Sequence, residues 1–240
     1  MSVRIAYKGV FTRPPTKDYS SGRGIVLLLC LLTFFSVAAS ASPAVAPVNL
    51  NISGNPHFAL QKAIEFDLTR QPGQARKIYD DLLDDQNVLP GLAVASAVNL
   101  YALGMDDEAM KAFKSIQNSA NKRDSEYSSL WVLLLTARTG SKDVQKKLAE
   151  MVSGLSFASI NEKYIADMFA GELSVTDALD KISTLHFSSQ YQKSDVLTSS
   201  VFFASNYLLY VRGDQKGARD LIEKRKREFL FESLERPLME

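Results

Sequence analysis

The feature that most constrains this chain is a recurrence at a spacing of 34 residues. Ala75 with Tyr79 is followed at that offset by Ala109 with Phe113, and Ala59, Ala63 and Phe66 by Ala93, Ala97 and Leu100. Within each set the residues lie three or four apart or nearly so, which places their side chains on one face of a helix. The stretch from Ala93 to Ile116 therefore reads as two short helices folded back on each other. Gly104 ends the first, because a glycine adopts the left-handed turn beyond a helix without a Cβ clash. Asp106, Asp107 and Glu108 open the second, where carboxylates meet the positive end of the helix dipole. Ala109 is the small residue at which the two helices approach, and Phe113 fills the space beside it.

The same arrangement returns near the end of the sequence. Gly213, Ala218 and Ile222 stand where the central copy has Gly104, Ala109 and Phe113, while Phe202, Asn206 and Leu209 match its first helix. Degenerate copies surround Gly140 and Ala178. A small residue at the crossing, glycine at the turn and a 34-residue period form the pattern of a tetratricopeptide repeat. The competing reading is an ordinary helical bundle with chance Ala and Gly spacing. The expected fold is all-α, a tetratricopeptide-like α-solenoid of about five helical hairpins over residues 56–240. Breaks are expected at Pro72-Gly73, Pro90-Gly91, Gly104, 121–124, Gly140, Gly154, Gly171, 185–191 and Gly213. Pro72 and Pro90 suit the first turn of a helix, where no N–H is needed. Ser174 with Asp177 and Ser159 with Glu162 resemble capping boxes. The closing run from Lys224, with Phe229, Leu230, Phe231 and Leu234, reads as a last helix that caps the array, its basic residues solvated. The other reading of that run is a basic docking patch.

Ahead of this domain the composition changes. Residues 1–24 carry Arg4, Lys8, Arg13, Lys17 and Arg23 against Asp18 alone, and no charged residue follows until Lys62. A basic head, an apolar run from Ile25 to Phe35 and small residues at Ala39 and Ala41 are the signature of a secretory signal peptide. Residues 1–41 are read as that signal, cleaved after Ala41, and 42–55 as a flexible lead-in. The apolar run is shorter than the roughly 20 residues of a membrane span. The expected location is the periplasm, with an uncleaved anchor in the inner membrane as the alternative. The lone Cys30 is preceded by Leu29 and followed by Leu31–Phe35, so it does not form a lipoprotein acylation site. Residues 25–240 hold 26 acidic and 23 basic side chains, a balance without the basic field that nucleic acid attracts.

Motifs that carry chemistry are sparse. His57 and His186 lack the neighbours of a metal site or catalytic triad, and no HExxH, GxSxG or P-loop occurs. Ser119-Ala120-Asn121-Lys122 matches the S-x-x-K of penicillin-binding enzymes, in which lysine activates a serine one helical turn away; the K-T-G that completes such sites is missing. Asp80, Asp81, Asp84 and Asp85 read as solvated charges on an outer face. The sequence thus leads to no catalytic residue, no metal site and no cofactor.

Three blocks, SSLWVLLL from Ser128, MFAGELSVTDALDKI from Met168 and FFASNYLLYVRGDQKGARDLI from Phe202, resemble NlpI-type tetratricopeptide lipoproteins of the bacterial envelope. The resemblance spans most of 56–229 and rests on the order of the blocks. It implies a non-catalytic, homodimeric periplasmic adaptor that brings peptidoglycan hydrolases to a protease or to other cell-wall enzymes. The missing acylation site departs from that family. A secretion or pilus assembly subunit of the same fold is the alternative function, and an enzyme using Ser119 and Lys122 a further one. In such an array the first-helix residues outside the hairpin core face a groove. Register on Gly104 and Gly213 gives Val94, Val98, Tyr101, Phe203, Tyr207 and Tyr210, a surface for an apolar or extended peptide rather than an acidic tail. The same six residues could instead be buried against neighbouring helices or a dimer mate. For the head of the chain, residues 1–55 fused to a reporter active only after export are expected to give activity; a fusion retained in the cytoplasm would overturn the signal-peptide reading.

Overall fold

A computed structural model describes residues 55–85, 89–140 and 142–240. Helices α1 (Pro56–Leu68) and α2 (Pro72–Asp84) form a first hairpin, α3 (Leu92–Ala102) and α4 (Asp106–Gln117) a second. A third is built from α5 (Lys122–Arg138) and α6 (Val144–Ser153), a fourth from α7 (Ile160–Ala170) and α8 (Val175–Ser183), a fifth from α9 (Gln190–Tyr210) and α10 (Gln215–Arg225). A single 3-10 turn, Lys226–Glu228, and the short α11 (Arg236–Met239) follow. Successive helices pack on one another along the chain, and no strand occurs among the described residues. The architecture is an all-α solenoid. The signal and lead-in read over residues 1–55 lie, except for Asn55, outside the described residues.

Local chemistry sets the boundaries. Asn55, Asn121, Ser174, Ser189 and Asp214 each accept a backbone N–H of the first turn of the helix they precede, satisfying donors that have no partner inside the helix. Pro72 occupies the first turn of α2, as expected, whereas Pro90 lies in the turn ahead of α3. Ser174 supplies one half of the expected capping box: its hydroxyl accepts the Asp177 N–H at 3.0 Å and donates to the Asp177 carboxylate at 2.6 Å. Ser159 and Glu162 form no such box: the Ser159 hydroxyl makes no capping bond and Glu162 is buried. The carboxylate of Glu126 on α5 instead accepts the N–H groups of Ala158 and Ser159 at 2.7 and 3.0 Å, which ties the entry of α7 to the third hairpin.

The recurrence visible in the sequence is a recurrence of turn geometry. Gln71 donates its N–H to the Phe66 carbonyl at 2.8 Å, Met105 to Leu100 at 2.9 Å, and Glu172 to Asp167 at 2.9 Å. This is the six-residue closure of a helix that ends in a left-handed residue. That residue is Gly104, Gly140, Gly171 or Gly213 after α3, α5, α7 and α9, with φ between 63 and 83°. After α1 it is Arg70, at φ 66°, the one non-glycine residue with positive φ among those described.

Burial separates the helices into two sets. The second helix of each hairpin buries one stripe: Ala75, Ile78, Tyr79 and Leu82 on α2, Ala109, Phe113 and Ile116 on α4, Ala178, Leu179 and Ile182 on α8. Of the first helices, α3, α5 and α9 are enclosed on most sides, with every residue from Glu126 to Ala137 buried on α5 and every residue from Asp195 to Ser205 on α9, whereas α1 and α7 bury one stripe. An outer helix with one apolar stripe and an inner helix covered all round is what a layered array produces. The small residues that the spacing put at helix crossings are enclosed: Ala75, Ala109 and Ala178 are fully inaccessible, as are Tyr79 and Phe113. Ala109→Leu is expected to force methylenes into this contact at a cost of roughly 1–3 kcal/mol, read as a lowered melting temperature. An exposed helical alanine would accept leucine almost freely, so an unchanged melt would remove the crossing.

Candidate partner-binding face

The inner helices meet in an aromatic cluster centred on Trp131 of α5. Its indole stacks on Phe113 of α4 (centroids 5.0 Å apart, planes 6° apart) and meets Tyr101 of α3 edge-on at 5.0 Å. Phe202 and Phe203 of α9 close on it at 5.0 and 5.6 Å, and Tyr127, one turn earlier on α5, at 6.3 Å. Edge-to-face and offset pairs of this kind add to the area they bury. Trp131 is fully enclosed and its Nε1–H has no hydrogen-bond partner. Helix α9 therefore packs across α5 and α7 and, through Phe202, reaches Tyr101 on the second hairpin at 6.3 Å.

This packing decides the fate of the six residues expected to line a groove. Val94, Val98, Tyr101, Phe203 and Tyr207 are 8, 0, 7, 1 and 5% exposed, and Tyr210 is half-buried. The five buried ones are core rather than an open apolar wall: Tyr101 and Phe203 belong to the rings around Trp131, and Tyr207 meets Phe169 edge-on at 5.7 Å. Tyr101 and Tyr210 instead flank the Arg138 guanidinium at 4.7 and 5.5 Å, and Arg138 pairs with Asp106 at 3.2 Å. Tyr207 donates its hydroxyl to Gln145 Oε1 at 3.1 Å, and Gln145 Nε2 donates to the Phe169 carbonyl at 2.8 Å. Beside this pair a cavity of about 580 Å³ opens between α6, the α7–α8 turn and the end of α9, with Gly171, Leu173, Val175 and Arg212 on its walls.

The closing segment differs from the sequence expectation. Residues 229–235 form no helix, and one turn, α11, stands where a capping helix was expected. From the 3-10 turn the chain passes back over the inner helices. Leu230 N–H donates to Thr198 Oγ1 of α9 at 2.8 Å. Tyr127 on α5 donates its hydroxyl to Glu235 Oε1 at 2.6 Å, and Ser233 to Glu235 Oε2 at 2.5 Å. Arg70, at the far end of the array, pairs with Glu240 at 2.6 Å. Leu234 and Glu235 are fully inaccessible, and Leu238 and Met239 are 6% exposed. The segment's partners thus come from the first, third and fifth hairpins, and what they hold is both apolar and acidic. Lys224, Lys226 and Arg227 remain exposed. Pairing with Arg236 foremost, and then Arg70, holds the Glu240 carboxyl below the usual carboxylate range.

The residues that the sequence offered for chemistry lie apart from this face. Ser119 is exposed in the turn before α5, its hydroxyl directed to the Asn121 carbonyl at 3.4 Å, and Lys122 lies 3.8 Å from Glu126. His57 and His186 are both exposed. Among the described residues no three His, Cys, Asp or Glu side chains converge where a metal ion could bind. No helix among them is long and apolar enough to cross a membrane. No known protein-family model matches the chain, and no curated protein matches it at a significant level.

A strong electrostatic perturbation lies within the first hairpin, where no sequence motif marked it. Asp67 of α1 is inaccessible and accepts the Tyr79 hydroxyl at 2.6 Å, while its Oδ1 has no hydrogen-bond partner. Arg76 bonds to the Ser96 carbonyl and hydroxyl and to Asn99, whose amide donates to the Pro72 carbonyl. Burial pushes the Asp67 carboxyl up to about 9, against the opposing pull of Tyr79, Arg76 and Asn99. A carboxyl raised above its unfolded value of 3.8 gives stability that is complete below that value and lost as pH rises towards 9. The slope is about 1.4 kcal/mol per pH unit between those limits. The chain is therefore expected to melt at a lower temperature at pH 8 than at pH 5.5. Asp67→Asn, which keeps a neutral acceptor for Tyr79, should flatten that dependence; equal slopes for the two proteins would overturn the assignment.

Proposed function

We propose that this protein is a non-catalytic adaptor of the bacterial envelope that binds segments of protein partners on the inner face of its solenoid. The observation that carries the reading is the segment 229–240 itself. It lies outside the helical hairpins, yet hydroxyls of α5 and α9 and a guanidinium beside α1 hold it through its main chain and its carboxylates. Stacked hairpins commonly serve as extended binding surfaces, and here such a surface already holds a peptide. The signal-like head of the sequence supports export to the periplasm, and the tetratricopeptide spacing supports the adaptor class. The resemblance to NlpI-type proteins suggests cell-wall hydrolases and a protease as partners, with a homodimer as the working form. Ser119 and Lys122 do not share one helical turn, so their geometry lends no support to S-x-x-K chemistry.

The test is capture of partners by the exported chain. Immobilised protein is expected to enrich cell-wall hydrolases or an envelope protease from a detergent-free envelope extract, identified by mass spectrometry against empty beads. An extract that yields no envelope protein above that control would overturn the adaptor reading.

A further inference from the structure

The four hairpin turns after α3, α5, α7 and α9 place glycine at the left-handed position, and the turn after α1 places Arg70 there. An L-residue with a Cβ is disfavoured in that conformation, and among such residues Asn and Asp tolerate it best. An arginine held there points to a side chain that is used. Its guanidinium meets Glu240, the last acidic side chain of the segment 229–240, at 2.6 Å. Glu240 is also paired with Arg236 of the same segment at 2.7 Å, and Ser233 donates to Glu235; two further contacts come from the array. Thr198 Oγ1 accepts a main-chain N–H, and the Tyr127 hydroxyl donates to the buried carboxylate of Glu235. Between these points Leu234, Leu238 and Met239 are buried, and α11 packs on α9. The segment departs from the array at the 3-10 turn Lys226–Glu228, where Lys226 and Arg227 are solvent-exposed.

These contacts have the form of peptide recognition: main chain read by a hydroxyl, carboxylates read by a hydroxyl and a guanidinium, apolar side chains set between them. We infer that residues 229–240 are a resident occupant of the partner-binding face, and that the partner segment displacing them has the same chemistry. That segment carries a leucine followed directly by a glutamate, with two adjacent apolar residues three and four positions after the glutamate and a closing acidic residue, as in Leu234, Glu235, Leu238, Met239 and Glu240. The inference rests on the adaptor reading and adds to it the class of ligand and a competition within the chain. Binding in trans then requires that the cis segment open, so apparent affinity is reduced by the fraction of molecules in which the face is free. Opening of this kind is a local event with a free energy below that of global unfolding.

The experiment uses the full chain and a fluorescent synthetic peptide of residues 228–240, EFLFESLERPLME. In the wild-type chain, amides of 229–240 are expected to exchange with deuterium at least about ten-fold faster than those of α5 and α9, the signature of sub-global opening. Glu240→Gln weakens the cis contact and leaves Arg70 and Tyr127 in place, so the labelled peptide should bind this variant about three- to five-fold more tightly than wild type. Arg70→Gly suits the left-handed turn and keeps the fold, and it should weaken peptide binding to either background. If segment 229–240 exchanges as slowly as α9, or if the peptide binds neither wild type nor Glu240→Gln, the segment is fixed core and the inference fails. Peptide exchange that holds while envelope extracts yield no partner would leave the competition standing and remove the adaptor reading alone.

Discussion

The enclosure of Trp131 by rings from four helices is the contact on which the rest of the structure depends. Phe113 and Tyr101 bring the second hairpin to it, and Phe202 and Phe203 bring the fifth. A solenoid whose repeats touch only their neighbours would leave its inner helices half-covered. Here α9 packs on both α5 and α7, so the array closes on itself and the inner face becomes core. The indole N–H goes without a hydrogen-bond partner in that core, a cost the surrounding rings offset through buried area and ring geometry.

The two ends of the array are joined by different physics. Hairpins two, three and five share aromatic surface, which is dry and non-directional. The first hairpin is joined to the second by directional bonds from Arg76 to Ser96 and Asn99 and from Asn99 to the Pro72 carbonyl, and beside them Tyr79 and a carboxyl held neutral by burial, Asp67, bond within the first hairpin. The first hairpin is also linked to the last residues of the sequence by the Arg70–Glu240 pair. That pair is partly exposed, so salt and side-chain entropy weaken it. The closing segment is anchored most firmly from Leu234 to Met239 and less firmly at its two ends, where Phe231 and Glu240 are exposed.

This gradient gives the inner face its character. Its deep part is occupied by α9 and is fixed. Its shallower part is occupied by a non-repeat segment that carries acidic and apolar side chains. The cavity beside Tyr207 and Gln145 is a separate opening at α9's last turns. What the face offers is therefore hydroxyls and one guanidinium around an apolar track, which differs from the aromatic groove that a straight array would present.

The sequence by itself determined the hairpins. Ala75 and Ala109 at one period, with glycine or its substitute at each turn, reflect contacts within a hairpin, and those are local enough for spacing to encode them. It also marked the second helices, whose single apolar stripe reads directly from a 3.6-residue pattern. The tertiary structure alone decided which faces of the first helices stay open. Tyr101, Phe203 and Tyr207 look the same in sequence whether they line a groove or pack against a helix a hundred residues away, because an apolar side chain does not name its partner. Tyr127 with Glu235 and Arg70 with Glu240 were hidden for the same reason: each pair joins residues 108 and 170 positions apart, and no periodicity reaches across such a distance.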